Sequence, residues 1–166
     1  MKTKAITSRQ YFKKLITVYY VSLISLALFV ITTGVFFVME EERIDKIKPV
    51  AKIFYVLMPL LAIIGYFCNK IVFKRDLDKL QYKDDLTEKM RGYRSALILK
   101  YAFLIIPSLA ATVISLITRE ETFLSLSILL ILLLFVDKPS PVRAAKDLAL
   151  QSSDAQTINN PDKIIA

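Results

Sequence analysis

The 166-residue sequence predicts an all-α, integral membrane four-helix bundle with a cytoplasmic helical hairpin extension. Three observations predict it. Four windows, residues 15–39, 53–69, 101–118 and 122–136, contain no Asp, Glu, Lys or Arg, although 23% of the chain is charged. A soluble domain of this size has too little interior for four such segments, because its helices keep one polar face. The bases gather in alternate connecting segments, and the apolar residues of the longest of these recur at helical spacing. A soluble globular enzyme and a disordered chain are both excluded.

The elements follow in order. Residues 1–14 form a basic arm with Lys2, Lys4, Arg9, Lys13 and Lys14, and Tyr11 and Phe12 read as part of an interfacial aromatic belt. A hydrocarbon core of about 30 Å takes about 20 helical residues. The first span, about 15–39, is long enough to cross with tilt. It exceeds a signal-peptide core and no A-x-A-like site follows, so an uncleaved anchor is expected. In the loop 40–48, Glu40, Glu41, Glu42 and Asp45 alternate with Arg43, Lys46 and Lys48. The bases neutralise the acids, which reads as a solvated loop rather than a metal site. The second span, about 52–70, is bracketed by Lys52 and Lys70, whose stems can snorkel to the two interfaces.

The hairpin, residues 70–95, carries two helical series, Phe73, Leu77, Leu80 and then Leu86, Met90, Tyr93, Leu97. The phase breaks around residues 81–84, and Asp85-Leu86-Thr87-Glu88 has the form of a capping box. Lys74/Asp78 and Asp85/Lys89 stand as opposite charges at i,i+4. The third span, about 96–118, accepts Lys100 in its first turns. The fourth, about 120–136, is the shortest, and a re-entrant segment is the alternative to a full crossing. Ser140-Pro141 then restarts a helix as N-cap and N1. That amphipathic helix, residues 139–150, places Val142, Ala145, Leu148 and Ala149 on one face, suited to the inner membrane surface. Residues 151–166 are polar and aperiodic, and are expected to form a flexible tail.

Orientation follows from the bases. Seventeen lie in the arm, the hairpin and the tail, against five in the other two connections. Both termini are therefore expected in the cytoplasm, at the inner (plasma) membrane. The net charge of +8 is mainly this topology signal, with some attraction to anionic lipid headgroups, and no nucleic-acid partner is implied.

Little chemistry is left. The chain has no His, which removes His-ligated haem, His-bearing zinc sites and Ser-His-Asp triads. Cys68, the single cysteine, reads as a small buried hydrophobe. With only Gly34, Gly65 and Gly92 there is no glycine-rich phosphate cradle, so no catalytic residue, cofactor or metal is assigned. The one charge inside a span is Lys100, and counting outward from the turn at Glu120 predicts a Lys100–Asp137 ion pair. Small and hydroxyl residues form stripes for close helix packing: Ser22, Ser25 and Thr32; Pro59, Ala62, Gly65 and Asn69; Ser108, Ala111, Thr112 and Ser115. Pro59 and Pro107 could each kink a span and free a carbonyl.

The stretch Tyr93-Arg-Ser-Ala-Leu-Ile-Leu-Lys-Tyr-Ala-Phe-Leu, then Pro107-Ser108-Leu109, resembles an uncharacterised group of small four-span bacterial inner-membrane proteins. Lys138-Pro139-Ser140 and the aromatic start at Tyr11-Phe12 share the resemblance, which covers roughly residues 10–150. In that group an acidic and a small residue often precede the proline of the third span. Here Ile105-Ile106 stand there, so the resemblance transfers no acidic role and no activity. Small multidrug transporters also have four spans, but their glutamate in the first span has no counterpart here. The sequence therefore predicts a non-catalytic membrane subunit or scaffold acting through its helices and hairpin, as a homo-oligomer or with a membrane-complex partner. The alternative is a small oligomeric transporter or permeation subunit.

Overall fold

The computed structural model describes residues 6–39 and 48–165, and the acidic loop and Lys2 and Lys4 lie outside the described residues. The described residues form six helices: α1 Ser8–Met39, α2 Lys48–Gln81, α3 Leu86–Thr118, α4 Glu121–Val136, α5 Pro141–Asp147 and α6 Ser152–Asn159. α1, α2 and α3 are each long and apolar enough to cross a membrane. At 16 residues and 1.5 Å each, α4 is about 24 Å long, short of a hydrocarbon core. It reaches span length only together with α5, across an 87° bend.

The residues group into two compact units. Of the described residues, the first comprises 6–20, 70–100 and 138–165, and the second 21–39, 48–69 and 101–137. Two of the three boundaries inside the long helices, at Asn69/Lys70 and Lys100/Tyr101, coincide with edges of uncharged windows. The partition of charge is steep. Among the described residues, sixteen bases and eight acids belong to the first unit, and three bases and three acids to the second.

In the first unit the hairpin phases hold. Leu77, Leu80, Met90, Tyr93 and Leu97 are all buried, and the Phe73 ring lies 6.3 Å from that of Tyr93. The arms approach closely where Gly92 faces Leu80: a Cβ on Gly92 would meet the Leu80 side chain at 2.2 Å. Asp85 caps α3, accepting from the Thr87 N–H at 3.1 Å. Glu88 does not complete the capping box, because Lys83 Nζ donates to its carboxylate at 2.9 Å. Neither Lys74/Asp78 nor Asp85/Lys89 pairs among the described residues. Arg75 meets Asp76 at 3.7 Å instead, and side chains this exposed gain little from fixing an i,i+4 geometry. The start of α1 adds Tyr11, Phe12, Leu15 and Tyr19 to this core. The Tyr11 hydroxyl donates to the Met90 carbonyl at 2.5 Å. Burial raises the Tyr11 phenol above its ordinary range, against the opposing pull of the Arg94 guanidinium, which keeps it a neutral donor.

The C-terminal segments correct two expectations. Ser140 caps α5 as predicted, its hydroxyl accepting from the Arg143 N–H at 3.2 Å with Pro141 at the first turn. The helix is shorter than residues 139–150, however, and its buried face is different. Ala144 and Leu148 are buried while Val142 is 71% exposed, and Tyr93 OH donates to Asp147 at 3.1 Å. Contacts inside its own unit decide this face, and the Val142 side lies open. Residues 151–165 are no flexible tail. They form α6, bury Ile158, and bring Ile164 into an antiparallel bridge with Thr7. The N–H groups of Ser8 and Arg9, the first of α1, donate to the carbonyls of Lys163 at 2.9 Å and Pro161 at 3.1 Å. Thr7 Oγ1 accepts from Gln10 N–H at 3.4 Å. The C-terminal segment thus satisfies donors that a helix start leaves without intrahelical partners.

In the second unit, α1 buries Leu23, Leu26, Val30 and Thr33. A core of Met58, Ala111 and Phe123 joins α2, α3 and α4, with Phe54, Leu61 and Ile114 packed against it. Arg119 holds a left-handed φ of 57° in the turn to α4, and its guanidinium lies 4.4 Å from the Phe36 ring centroid. Cys68 is half-buried rather than fully enclosed.

Candidate functional site

The hydroxyl stripe of α3 forms the most organised polar feature of the second unit. Ser108, Ala111, Thr112 and Ser115 recur at helical spacing and each is 0% exposed. Their partner is Ser127 of α4. Its hydroxyl lies 2.7 Å from that of Ser108 and 2.8 Å from that of Thr112, and it also reaches the Ser108 carbonyl at 3.0 Å. Thr112 Oγ1 donates to the Ser108 carbonyl at 3.0 Å, and Ser115 Oγ to the Glu120 carbonyl at 3.0 Å. The partners within this cluster are hydroxyls and carbonyls. Without an adjacent base to take a proton, a hydroxyl remains a weak nucleophile. The arrangement holds α4 against α3.

The α2 stripe is also buried at Ala62, Gly65 and Asn69, whereas Pro59 is exposed. Gly65 sits so close to α3 that a Cβ there would stand 2.5 Å from the Phe103 carbonyl oxygen and 2.9 Å from Pro107 Cγ. Phe103 is the residue whose carbonyl loses its helical donor to Pro107. Helices α2 and α3 run on through Pro59 and Pro107.

The α1 stripe is corrected. Ser25 and Thr32 are exposed and Ser22 is half-buried. Thr32 Oγ1 turns back to the Leu28 carbonyl at 2.9 Å, and the buried hydroxyl of this helix is Thr33, bonded to the Phe29 carbonyl at 2.9 Å. A helix that is apolar on nearly every side gives no sequence signal for which face its neighbours will cover.

Lys100 belongs to the first unit and Asp137 to the second. Lys100 is 8% exposed, and its ammonium lies 4.6 Å from the Phe73 ring centroid, within cation–π range. Asp137 closes α4 as its C-cap, and its carbonyl accepts from the buried Tyr101 hydroxyl at 3.0 Å. Sequence reasoning missed Ser127, Tyr101 and the hydroxyl of Tyr93. Ser125 and Ser127 stand out within the apolar α4, but spacing alone does not tell the buried one from the one that bonds to its own helix at Glu121. Among the described residues, every buried side-chain nitrogen and oxygen has a hydrogen-bond partner, and no group of three Cys, Asp or Glu is placed to hold a metal ion.

Ser127→Ala removes a hydroxyl shared by two neighbours. Interhelical hydrogen bonds in membranes average about 0.6 kcal/mol, so a loss of about 1–2 kcal/mol is expected. Ser125→Ala, on an exposed position, is expected to stay within about 0.5 kcal/mol. Reversible unfolding in mixed micelles measures both, and equal values would remove the network's role in holding α4.

No family model, curated protein or solved structure matches the chain.

Proposed function

We propose that this chain is a multi-pass inner-membrane protein, with its basic unit and both termini in the cytoplasm. It acts there as a non-catalytic subunit or scaffold, through helix faces and the cytoplasmic hairpin. The carrying observation is the inverted burial of the second unit. Ser108, Thr112, Ser115 and Ser127 are completely buried, while Val21, Ile24, Leu28, Ile31, Leu60, Ile63, Leu129 and Leu132 are all at least half exposed. In water such an arrangement would leave a large apolar surface hydrated. In hydrocarbon it is the stable one, because only the polar groups must find partners inside.

The charge partition supports the orientation: the basic unit holds the arm, the hairpin and the C-terminal segment, as the positive-inside bias requires. The subunit reading is supported by how the intramembrane hydroxyls are used. They bind one helix to the next, which is what a packed scaffold needs.

The experiment is chemical cross-linking with mass spectrometry on the detergent extract of carbonate-washed membranes. Retention in the washed membranes and a stoichiometric heterologous partner, cross-linked through hairpin lysines such as Lys74 or Lys79, are expected. Recovery as a homodimer enclosing a wet central cavity, with measurable solute flux, would favour transport and overturn the subunit reading.

A further inference from the structure

We infer that the groove where the start of α1 meets α3 binds an anionic phospholipid, with Lys13, Lys14 and Arg94 on its phosphate. The inference rests on the membrane reading above. The groove is open to the surface, has a volume of about 430 Å³ and is lined by Gln10, Lys13, Lys14, Thr17, Val18 and Arg94. On α1 these positions follow i, i+3, i+4, i+7, i+8, one helical face beside the buried Tyr11, Leu15 and Tyr19. Arg94 reaches the same groove from α3, which is pinned there by the Tyr11–Met90 hydrogen bond.

Three basic residues from two helices therefore border one open groove, and the lining contains no acid. Among the described residues no carboxylate pairs with Lys13, Lys14 or Arg94. Three like charges around one groove make a local positive field that attracts an anion. A phosphodiester suits the donors: the guanidinium fork can take two oxygens, and each ammonium acts as a mobile point charge. Gln10 adds a neutral donor, while the Thr17 hydroxyl is already committed to the Lys13 carbonyl at 2.8 Å.

Position selects a lipid over a soluble phosphate. Lys13 and Lys14 are the last charges of α1 before its 25-residue uncharged run. The groove thus lies at headgroup level, and its lining includes the exposed apolar Val18, against which the start of an acyl chain can lie.

The test is native mass spectrometry of the full chain in micelles titrated with phosphatidylglycerol, phosphatidylcholine or inorganic phosphate. Each base near an anionic headgroup is worth about fivefold in affinity, so K13Q/K14Q/R94Q is expected to weaken phosphatidylglycerol binding on the order of a hundredfold. K74Q/R75Q/K79Q, on the hairpin, is expected to leave it unchanged. Undiminished binding by the first triple variant overturns the inference, as does equal binding of phosphatidylcholine or equal competition by inorganic phosphate. Circular dichroism confirms that the variants fold. Should the triple variant unfold, the three single variants carry the same test at about fivefold each. A chain removed from membranes by carbonate would refute the membrane reading itself, a result separate from any outcome of the titration.

Discussion

Gly65→Ala is expected to destabilise the protein by about 2–3 kcal/mol, the upper part of the range for overpacking a filled interior. Gly34→Ala is expected to be neutral or to stabilise by up to about 1 kcal/mol. Both glycines lie inside long helices, where alanine is intrinsically the better residue. What separates them is what an added methyl would meet. At Gly34 the nearest atom is the Leu124 side chain at 3.7 Å, an ordinary contact. At Gly65 it is the Phe103 backbone oxygen at 2.5 Å, with Pro107 Cγ at 2.9 Å. A backbone carbonyl cannot rotate aside as a leucine methyl can, so α2 and α3 must separate. Separation would strip contacts from the core of Met58, Ala111 and Phe123, which the same two helices help to build. Unfolding in mixed micelles measures the contrast, and similar stabilities for the two variants would show that the close approach at Gly65 carries no energetic weight.

The second large effect is expected at the other end of the chain. Ile158→Asp places a charge on a side chain that is 1% exposed, and α6 should undock at a cost of about 3–5 kcal/mol. The consequence reaches the start of α1, about 150 residues away in sequence. Ser8 Oγ donates to the Ile158 carbonyl, and the Ser8 and Arg9 N–H groups depend on Lys163 and Pro161. Once α6 leaves, those donors return to water. Hydrogen exchange at Ser8 and Arg9 should then rise by two to three orders of magnitude, roughly what 3–4 kcal/mol of lost local stability implies. Ile164→Asp is the matched control, since Ile164 is 63% exposed. Unchanged protection at Ser8 and Arg9 in Ile158→Asp would show that α1 is held without the C-terminal segment.

The hairpin was legible because its signals are local. The 3.6-residue spacing of Leu77, Leu80, Met90, Tyr93 and Leu97 is written in a sequence that also contains charges, so its buried face has contrast. Asp85 and Ser140 were legible for the same reason: an N-cap binds N–H groups two or three residues away. The α1 stripe failed where this contrast disappears. Ser25 and Thr32 share a helix that is apolar all round, and hydroxyls that bond to their own preceding turn need no neighbour. The polar composition of residues 151–165 hid Ile158 and Ile165, because two buried isoleucines on either side of Pro161, among Ser, Gln, Asn and Asp, make no continuous helical pattern.

By itself the sequence determined which segments are long, apolar helices, where the bases fall, and where α3 and α5 begin. Those features depend on composition and on contacts within four residues along the chain. Only the tertiary structure decided that Ser127 answers Ser108 and Thr112, that Gly65 abuts the Phe103 carbonyl, and that the C-terminal segment caps α1. Each of these joins surfaces from different helices. Which surfaces meet is set by packing many apolar faces of nearly equal hydrophobicity, and that choice leaves no mark at short range in the sequence.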